Sequence, residues 1–368
     1  MTPTLPETVL QFGAGKFLRC FADLFAHEAN QGAEPAGRVV VVQSTGNQRA
    51  RQINAQGGCY RVAIRGLMAG QRVDRVVEVA SIGRALAAAE QWPEVLDVAR
   101  AESLRTIVSN TTEAGYALDD TDRPEDAPPR SFPAKLLRVL RERQRAGLPG
   151  VTVLPCELYD GNAVRLLALV LEQAQRWRVE SDTVDWLREA CRWCNTLVDR
   201  IVSAPTPGDP LAAVDPLFAV AEPFALWLIE CVPATFARRP AIQSVERLEP
   251  YALRKVRILN GAHTALVAKA RPLGFVTVRQ AVADAAVRAW LEELLFEEIV
   301  PVLQGRVDAP AEFARQTLER FGNPFLDHRL ADIALHHEVK LQTRLVPTLA
   351  EFRQRFDRAP RRLCEVLP

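Results

Sequence analysis

Three polar side chains near residue 260 have the types and spacing that suit proton transfer to or from a carbon-bound oxygen. Lys255, Asn260 and His263 lie in a stretch whose other residues are largely apolar and helix-forming. On an α-helix, offsets of five and eight residues rotate by roughly 140° and 80° from the first position, so the three side chains share one broad face. A lysine can exchange a proton, and an amide can stabilise a developing oxyanion. Each residue alone is more often structural, but the three together favour a catalytic site.

A glycine-rich turn near the start of the chain has the residue types of a dinucleotide-binding loop. Gly13 and Gly15 stand between a strand-like run at residues 8–12 and a helix-like stretch at 17–30. Such glycines allow a tight turn and let backbone N–H groups approach a pyrophosphate. Leu18 replaces the third glycine of the usual pattern, which is tolerable because that glycine mainly eases helix packing.

The second strand-like run, residues 39–42, is not followed by the acidic residue that usually binds the adenosine ribose. Gln43 and Ser44 stand there instead, and their amide and hydroxyl can bind a ribose but do not repel a 2′-phosphate. Arg49 and Arg51 could attract such a phosphate. NAD is therefore favoured as the cofactor, and NADP is not excluded.

The elements that must position these residues alternate between strand-like and helix-like segments. Further strand-like runs are expected at residues 73–79, 105–109 and 150–154, and helix-like stretches at 82–100, 131–145, 163–176 and 183–196. This alternation predicts an α/β fold, with a Rossmann-like doubly wound sheet in residues 1–207. Residues 203–210 resemble a linker, and the region 208–368 is expected to form a mostly α-helical catalytic domain.

Composition excludes several classes of function. The formal net charge is +1, from 46 basic and 45 acidic residues, which argues against a general affinity for nucleic acid or an anionic membrane. Neither a secretory leader nor an apolar run of roughly 20 residues is recognisable, so a cytoplasmic protein is expected. The seven cysteines are expected to be reduced thiols, including the Cys191 and Cys194 pair. No cluster has metal-ligand spacing, so no metal site is predicted.

Several motifs in sequence order resemble those of the mannitol dehydrogenase family, which comprises polyol-specific long-chain dehydrogenases. The most specific is KVRILNGAHTA at residues 255–265, which is similar to the catalytic signature of that family. The others are QFGAGKFLR (11–19), SNTTEAGY (109–116), LPCELYDGNA (154–163), CNTLVDRIV (194–202), EPFALWLIE (222–230) and NPFLDH (323–328). Their variants are most similar to the branch whose members reduce a keto sugar acid.

The resemblance implies a role for each matching residue. Lys255 would be the general acid/base, Asn260 and Asn162 would stabilise the oxyanion, and His263 would orient a substrate hydroxyl. The carboxylate of a sugar acid would be bound by a cationic side chain, for which the candidates are Arg257, Lys340 and Arg344. The expected cofactor-binding residues are Gly13, Gly15, Lys16, Phe17, Gln43, Ser44, Asn110 and Thr111.

Two alternatives remain open. The first is a reductase of the same family that acts on mannitol, fructuronate or another ketose pair. The second is a non-catalytic dinucleotide-binding redox sensor, which would have no need of a proton donor such as Lys255. A small-molecule keto sugar acid or ketose is the expected partner, with no nucleic acid or membrane, and the oligomeric state is left undetermined.

Overall fold

The computed structural model describes residues 5–231, 235–236 and 240–367, and the chain divides into two compact units. Unit 1 is Met1–Ile64 with Arg75–Leu248, and unit 2 is Arg65–Asp74 with Glu249–Pro368. The strands are β1 (Glu7–Phe12), β2 (Arg38–Gln43), β3 (Tyr60–Met68), β4 (Gln71–Val79), β5 (Ile82–Ala87), β6 (Thr106–Ser109), β7 (Thr152–Pro155), β8 (Arg192–Trp193), β9 (Thr196–Asp199), β10 (Val202–Ser203), β11 (Ala219–Ala221), β12 (Leu226–Ile229) and β13 (Ile242–Ser244).

Unit 1 is built on a parallel sheet in the order β5-β2-β1-β6-β7-β8. Its central strands are largely buried, as expected of strands covered on both faces, and the four consecutive valines of β2 are at most 1% exposed. The helices that follow its strands are α1 (Lys16–Arg19), α2 (Ala22–Asn30), α3 (Gln48–Ala55), α4 (Trp92–Ala99), α5 (Phe132–Arg145), α6 (Asn162–Arg176), α7 (Ser181–Glu189) and α8 (Pro210–Val214).

The strand order reverses its direction between β1 and β6. The chain moves one way from β1 to β2 and the other way from β6 to β7, so right-handed crossovers put the connecting helices on opposite faces. This confirms the Rossmann-like doubly wound sheet. Ligands of such sheets bind outside the carboxyl ends of the strands at the point of reversal, where Gly13 and Asn110 follow β1 and β6.

The division between the units differs from the one expected at 207/208. Residues 208–248 belong to unit 1 because their strands pair with strands of that unit. β11 pairs with residues Val62 to Ile64 of β3, and β12 pairs with β9 and β13. The linker-like stretch at 203–210 is therefore an internal loop, and the tip of the β3–β4 hairpin belongs to unit 2.

Four local expectations were wrong. The helix expected at 17–30 is two helices, since Phe21 leaves the helical region with φ −129° and ψ −91°. The stretch 82–100 opens as the strand β5, because β2 offers it a partner along its whole length, and the stretch 183–196 ends in strands rather than helix. Cys194 and Cys231 form a disulfide, whereas both were expected to be thiols.

Unit 2 is mostly helical, as expected. Two of its segments, Lys255–Asn260 and Leu294–Ile299, are π-helical. Among the described residues, no helix has the length and apolar character needed to cross a membrane. The helices of unit 2 are α9 (Glu249–Arg254), α10 (Gly261–Ala270), α11 (Val278–Ala283), α12 (Ala285–Glu293), α13 (Val300–Leu303), α14 (Pro310–Phe321), α15 (Leu330–Ile333), α16 (His337–Arg344), α17 (Val346–Phe356) and α18 (Arg361–Val366).

Candidate active site

The glycine turn after β1 is shaped for a close backbone approach. Gly13 has φ +128°, and a Cβ there would lie 2.8 Å from the carbonyl oxygen of Asn110, so a side chain is excluded. Gly15 is exposed, and a Cβ there would meet nothing within 4 Å. Lys16 is exposed beside it, while Phe17 stacks on Phe21 with ring centroids 4.9 Å apart. Open space, a cation and a tight turn together fit the pyrophosphate of a dinucleotide.

A network of buried polar side chains holds the glycine turn in place through hydrogen bonds to its backbone carbonyls. The Nε2 of Gln11 donates to the carbonyl of Gly13 at 3.1 Å and to a carboxylate oxygen of Asp23 at 3.3 Å. Arg19 donates to the carbonyl of Ala14 at 2.6 Å. Gln11 and Asp23 have no solvent exposure, and burial is the main cause that raises the pKa of Asp23 from 3.8 to about 7. Sequence reasoning assigned no function to this network.

Gln43, the last residue of β2, has a structural role in the loop that follows, whereas the next residue, Ser44, has a hydroxyl group suited to binding a ligand. The amide of Gln43 donates to the carbonyl of Thr45 at 2.7 Å and accepts from the backbone N–H of Ala50 at 2.8 Å. Gln43 therefore fixes the loop that leads into α3. The Oγ of Ser44 is buried and has no hydrogen-bond partner among the described residues. A ligand hydroxyl is a suitable partner for such an atom.

The two arginines near that loop are already engaged. Arg49 donates to the carbonyl of Pro216 at 3.2 Å. Arg51 forms an ion pair with Glu90, with Nη2 and Oε1 3.2 Å apart, and Asn47 also donates to this carboxylate. Glu90 follows β5, the neighbour of β2 in the sheet. An acidic group is thus present at this edge of the sheet, but it follows β5 and not β2, where the usual pattern has the ribose-binding acidic residue.

The loop after β6 is organised by a buried carboxylate. One oxygen of Glu157 accepts from the backbone N–H and the hydroxyl of Thr111, at 2.9 and 3.1 Å. The other accepts from Ser109 at 3.0 Å and from the hydroxyl of Tyr116 at 3.2 Å. Asn110 donates to the carbonyl of Cys156 at 2.9 Å, which joins the same two loops. Glu157 is 3% exposed, and burial raises its pKa despite these hydrogen bonds.

Asn162 lies at the start of α6 and is fully buried. Its Nδ2 lies 3.0 Å from the carbonyl oxygen of Pro155 and 3.1 Å from those of Glu157 and Thr196. Its Oδ1 accepts from the backbone N–H of Thr196 at 3.0 Å. An amide nitrogen has two hydrogens, so both are occupied by backbone carbonyls. The predicted oxyanion role would require Asn162 to exchange these bonds.

In unit 2, the predicted catalytic residues Lys255 and Asn260 begin and end one π-helical segment. The i→i+5 hydrogen bonds of a π-helix widen the turn, so residues five apart lie closer to the same side than on an α-helix. Both residues are half-buried. Insertions of this type are frequent at functional sites, because they change the direction of side chains without ending the helix.

His263 follows on α10 and is nearly buried between two rings. Its imidazole lies 4.1 Å from the ring of Phe321 and 5.1 Å from that of His328, measured between centroids. Burial, followed by His328 and the charges of Arg320 and Arg344, lowers the pKa of His263 well below its usual range. His263 is therefore a neutral hydrogen-bonding group at neutral pH. His328, from the NPFLDH motif, was not among the predicted site residues.

The three candidates for carboxylate binding have different surroundings. Arg257 is 7% exposed and donates to Thr348 at 2.6 Å and to Glu351 at 2.9 Å, so its guanidinium is already paired. Lys340 donates to the backbone carbonyl of Ile333 at 2.8 Å. Burial lowers the pKa of both Lys340 and Arg344, with Arg344 contributing to the shift of Lys340.

Arg344 also connects α16 to the π-helical segment. Its Nη1 donates to the hydroxyl of Thr264 at 3.2 Å, and that hydroxyl donates to the carbonyl of Asn260 at 2.8 Å. Arg344 and His263 are close enough for the arginine charge to act on the imidazole. Arg344 therefore brings positive charge next to Asn260, which ends the π-helical segment, and to His263 on α10. Lys340 lies one turn before Arg344 on α16.

Comparison with known proteins covers nearly the whole chain. The model of the mannitol dehydrogenase Rossmann domain matches residues 7–244, and that of the mannitol dehydrogenase C-terminal domain matches residues 247–367. Altronate oxidoreductase of Bacillus subtilis (strain 168) is 37% identical over 97% of this chain and 78% of its own length. That of Yersinia enterocolitica is 38% identical, with the same two coverages of 97% and 78%.

Solved structures agree on the fold. D-sorbitol dehydrogenase in its substrate-free form has a TM-score of 0.81 at 22% identity, covering 94% of this chain and 76% of that one. The ternary complex of Pseudomonas fluorescens mannitol 2-dehydrogenase with NAD and D-mannitol has a TM-score of 0.77 at 21% identity, covering 98% and 77%. The two family models together span both units. The chain belongs to the mannitol dehydrogenase family, and it is an oxidoreductase that acts on CH–OH groups.

Proposed function

We propose that the protein is a nicotinamide-dependent reductase of a keto sugar acid, with D-tagaturonate reduced to D-altronate by NADH as the favoured reaction. The observation that carries this proposal is the π-helical segment from Lys255 to Asn260, with the cation Arg344 joined to its end through the hydroxyl of Thr264. The altronate oxidoreductases that resemble the chain over 97% of its length support the choice of substrate.

The chemistry divides between cofactor and protein. Bound NADH supplies a hydride to the ketone carbon. The ammonium group of Lys255 donates a proton to the ketone oxygen, which becomes the new hydroxyl group, and solvent then restores the proton to the lysine. The amide N–H of Asn260 stabilises the negative charge that develops on that oxygen. His263, neutral at the working pH, positions a neighbouring substrate hydroxyl by a hydrogen bond.

The sugar-acid carboxylate is assigned to Lys340 and Arg344. Both are half-buried, where a charge-assisted hydrogen bond is stronger than in open water. Arg257 is the weakest of the three candidates, because Glu351 and Thr348 already occupy its guanidinium. Its role in this proposal is to hold α17 against the π-helical segment.

In unit 1, we assign the pyrophosphate to Gly13, Gly15 and Lys16, and the adenosine ribose to Ser44. Asn110 and Thr111 would form the wall of the cofactor site next to β6, and Glu157 would keep them in place. Phe17 and Gln43 support the two turns from within. Asn162 would act in the same way on the loop after β7, through its bonds to Pro155 and Thr196.

The test is an assay of the purified protein with NADH, and separately NADPH, against D-tagaturonate, D-fructuronate and D-fructose. The expected result is fast loss of reduced nicotinamide with tagaturonate and NADH. A preference for fructose would move the protein to the polyol branch and remove the carboxylate-binding roles of Lys340 and Arg344. Binding of NADH without turnover of any of the three would favour the redox-sensor alternative.

A further inference from the structure

We propose that Glu90 determines the preference for NAD over NADP, a specificity role that rests on the proposed function. Glu90 lies just beyond the carboxyl end of β5. β5 is the parallel neighbour of β2, with Ala87 opposite Gln43, and the N–H of Ala88 donates to the carbonyl of Gln43 at 2.9 Å. The chain after β5 therefore runs along the loop after β2, where Rossmann-like sheets bind the adenosine ribose.

The carboxylate of Glu90 is directed at that loop. It accepts a hydrogen bond from Asn47, in the loop between β2 and α3. It also pairs with Arg51 in α3, whose Nη2 lies 3.2 Å from Oε1 and 3.5 Å from Oε2. The hydrogen bond from Asn47 is the main cause that lowers the pKa of Glu90, so the group is ionised at neutral pH.

This arrangement affects a ribose 2′-hydroxyl and a 2′-phosphate in opposite ways. A carboxylate can accept a hydrogen bond from the hydroxyl but repels the phosphate. Cofactor sites that take the phosphate use an arginine, and Arg51 provides such a charge on α3, the helix that follows β2. Glu90 neutralises Arg51, while Arg49 is bound to the carbonyl of Pro216. A negative group that follows the neighbouring strand β5 thus replaces the acidic residue that is missing after β2.

The experiment measures the dissociation constants of NADH and NADPH for the wild-type protein and for Glu90→Gln, by fluorescence of the bound reduced cofactor. Glutamine keeps the side-chain shape and removes the charge, which frees Arg51. We expect the ratio of the NADPH dissociation constant to the NADH dissociation constant to fall by about tenfold or more. In the variant, a charge-assisted hydrogen bond from Arg51 to the 2′-phosphate replaces the repulsion between that phosphate and the carboxylate of Glu90.

Two further variants separate this explanation from a general change in charge. Glu90→Gln combined with Arg51→Gln should lose the gain in NADPH binding, because the released arginine provides it. Glu172→Gln removes a similarly exposed carboxylate from an ion pair with Arg176 on α6, and should leave the ratio unchanged.

Other outcomes overturn the proposal. An unchanged ratio in Glu90→Gln, with NADH still bound, refutes the role of Glu90 and leaves the proposed function intact. A wild-type protein that prefers NADPH also refutes it. If the wild-type protein binds neither cofactor, the proposed function fails, and the role of Glu90 fails with it.

Discussion

Substitution of Asp23 by asparagine should change how the stability of unit 1 depends on pH. Asp23 has no solvent exposure, and it receives one hydrogen bond from Gln11 on Oδ2 while its Oδ1 has no partner among the described residues. The Oε1 of Gln11 also has no partner there. A proton on Asp23 adds a donor to a network rich in unpaired acceptors, and an asparagine amide adds donors without ionisation.

The magnitude follows from the pKa shift. Burial raises the pKa of Asp23 from 3.8 to about 7, so the folded state holds a proton that the unfolded state has released between these values. The stability due to this proton is complete below pH 3.8 and is lost as the pH rises through 7. At about 1.4 kcal/mol per pH unit, the wild-type protein loses roughly 2 kcal/mol of stability between pH 5 and pH 7, and nearly 3 kcal/mol by pH 8, that Asp23→Asn does not lose.

The assay is urea unfolding of both proteins from pH 5 to pH 8, followed by tryptophan fluorescence. Five of the six tryptophans belong to unit 1, and Trp290 belongs to unit 2, so the signal reports mainly on unit 1. The free energy of unfolding of the variant, minus that of the wild-type protein, should grow by about 3 kcal/mol over this range. Asp120→Asn is the control, because that carboxylate is 92% exposed. A difference that stays constant from pH 5 to pH 8 refutes the reasoning.

Substitutions at three further residues test their roles. Arg257→Met removes a nearly buried partner of Glu351, and should lower the stability of unit 2 by about 2 kcal/mol in urea unfolding followed by far-UV circular dichroism, to which this mostly helical unit contributes, with KM for the sugar acid nearly unchanged. Arg344→Met should raise KM for tagaturonate by about tenfold or more and leave that for fructose unchanged, since only the first has a carboxylate; equal changes for both would contradict the assignment. Glu157→Ala should weaken NADH binding by about tenfold, because the carboxylate no longer accepts hydrogen bonds from the loop after β6. Glu157→Gln should restore most of this binding, because its amide oxygen still accepts them. Equal losses in the two variants would show that a retained acceptor does not suffice.

The sheet was largely predictable from the sequence, because buried parallel strands appear as continuous apolar runs such as that of β2. β5 was not, since its residues Ile82 to Ala87 suit a helix as well as a strand, and the choice depends on pairing with β2. The boundary between units was misplaced for a similar reason. Pairing of β11 and β12 with earlier strands is a long-range contact that local composition at 203–210 does not report.

For the candidate site, motifs gave the residue types but not their surroundings. Lys255 and Asn260 were expected on an α-helix, and the π-helical segment that places them has no local sequence signal. Arg257 pairs with Glu351, which lies 94 positions away in the sequence. Because the sequence does not reveal this pairing, Arg257 appeared as suitable for binding a carboxylate as Lys340 and Arg344. Glu90 was missed because the acidic residue was sought after β2, and it lies after the neighbouring strand β5.

The most direct test of the central claim compares Lys255→Ala with the wild-type protein in two assays, turnover of D-tagaturonate with NADH and equilibrium binding of NADH. The proposed role of Lys255 in proton transfer predicts that turnover falls by at least about a hundredfold while the dissociation constant of NADH stays within about twofold. Turnover that survives in the variant, or a loss of NADH binding that accounts for the lost activity, would contradict the assignment of Lys255 as the general acid/base.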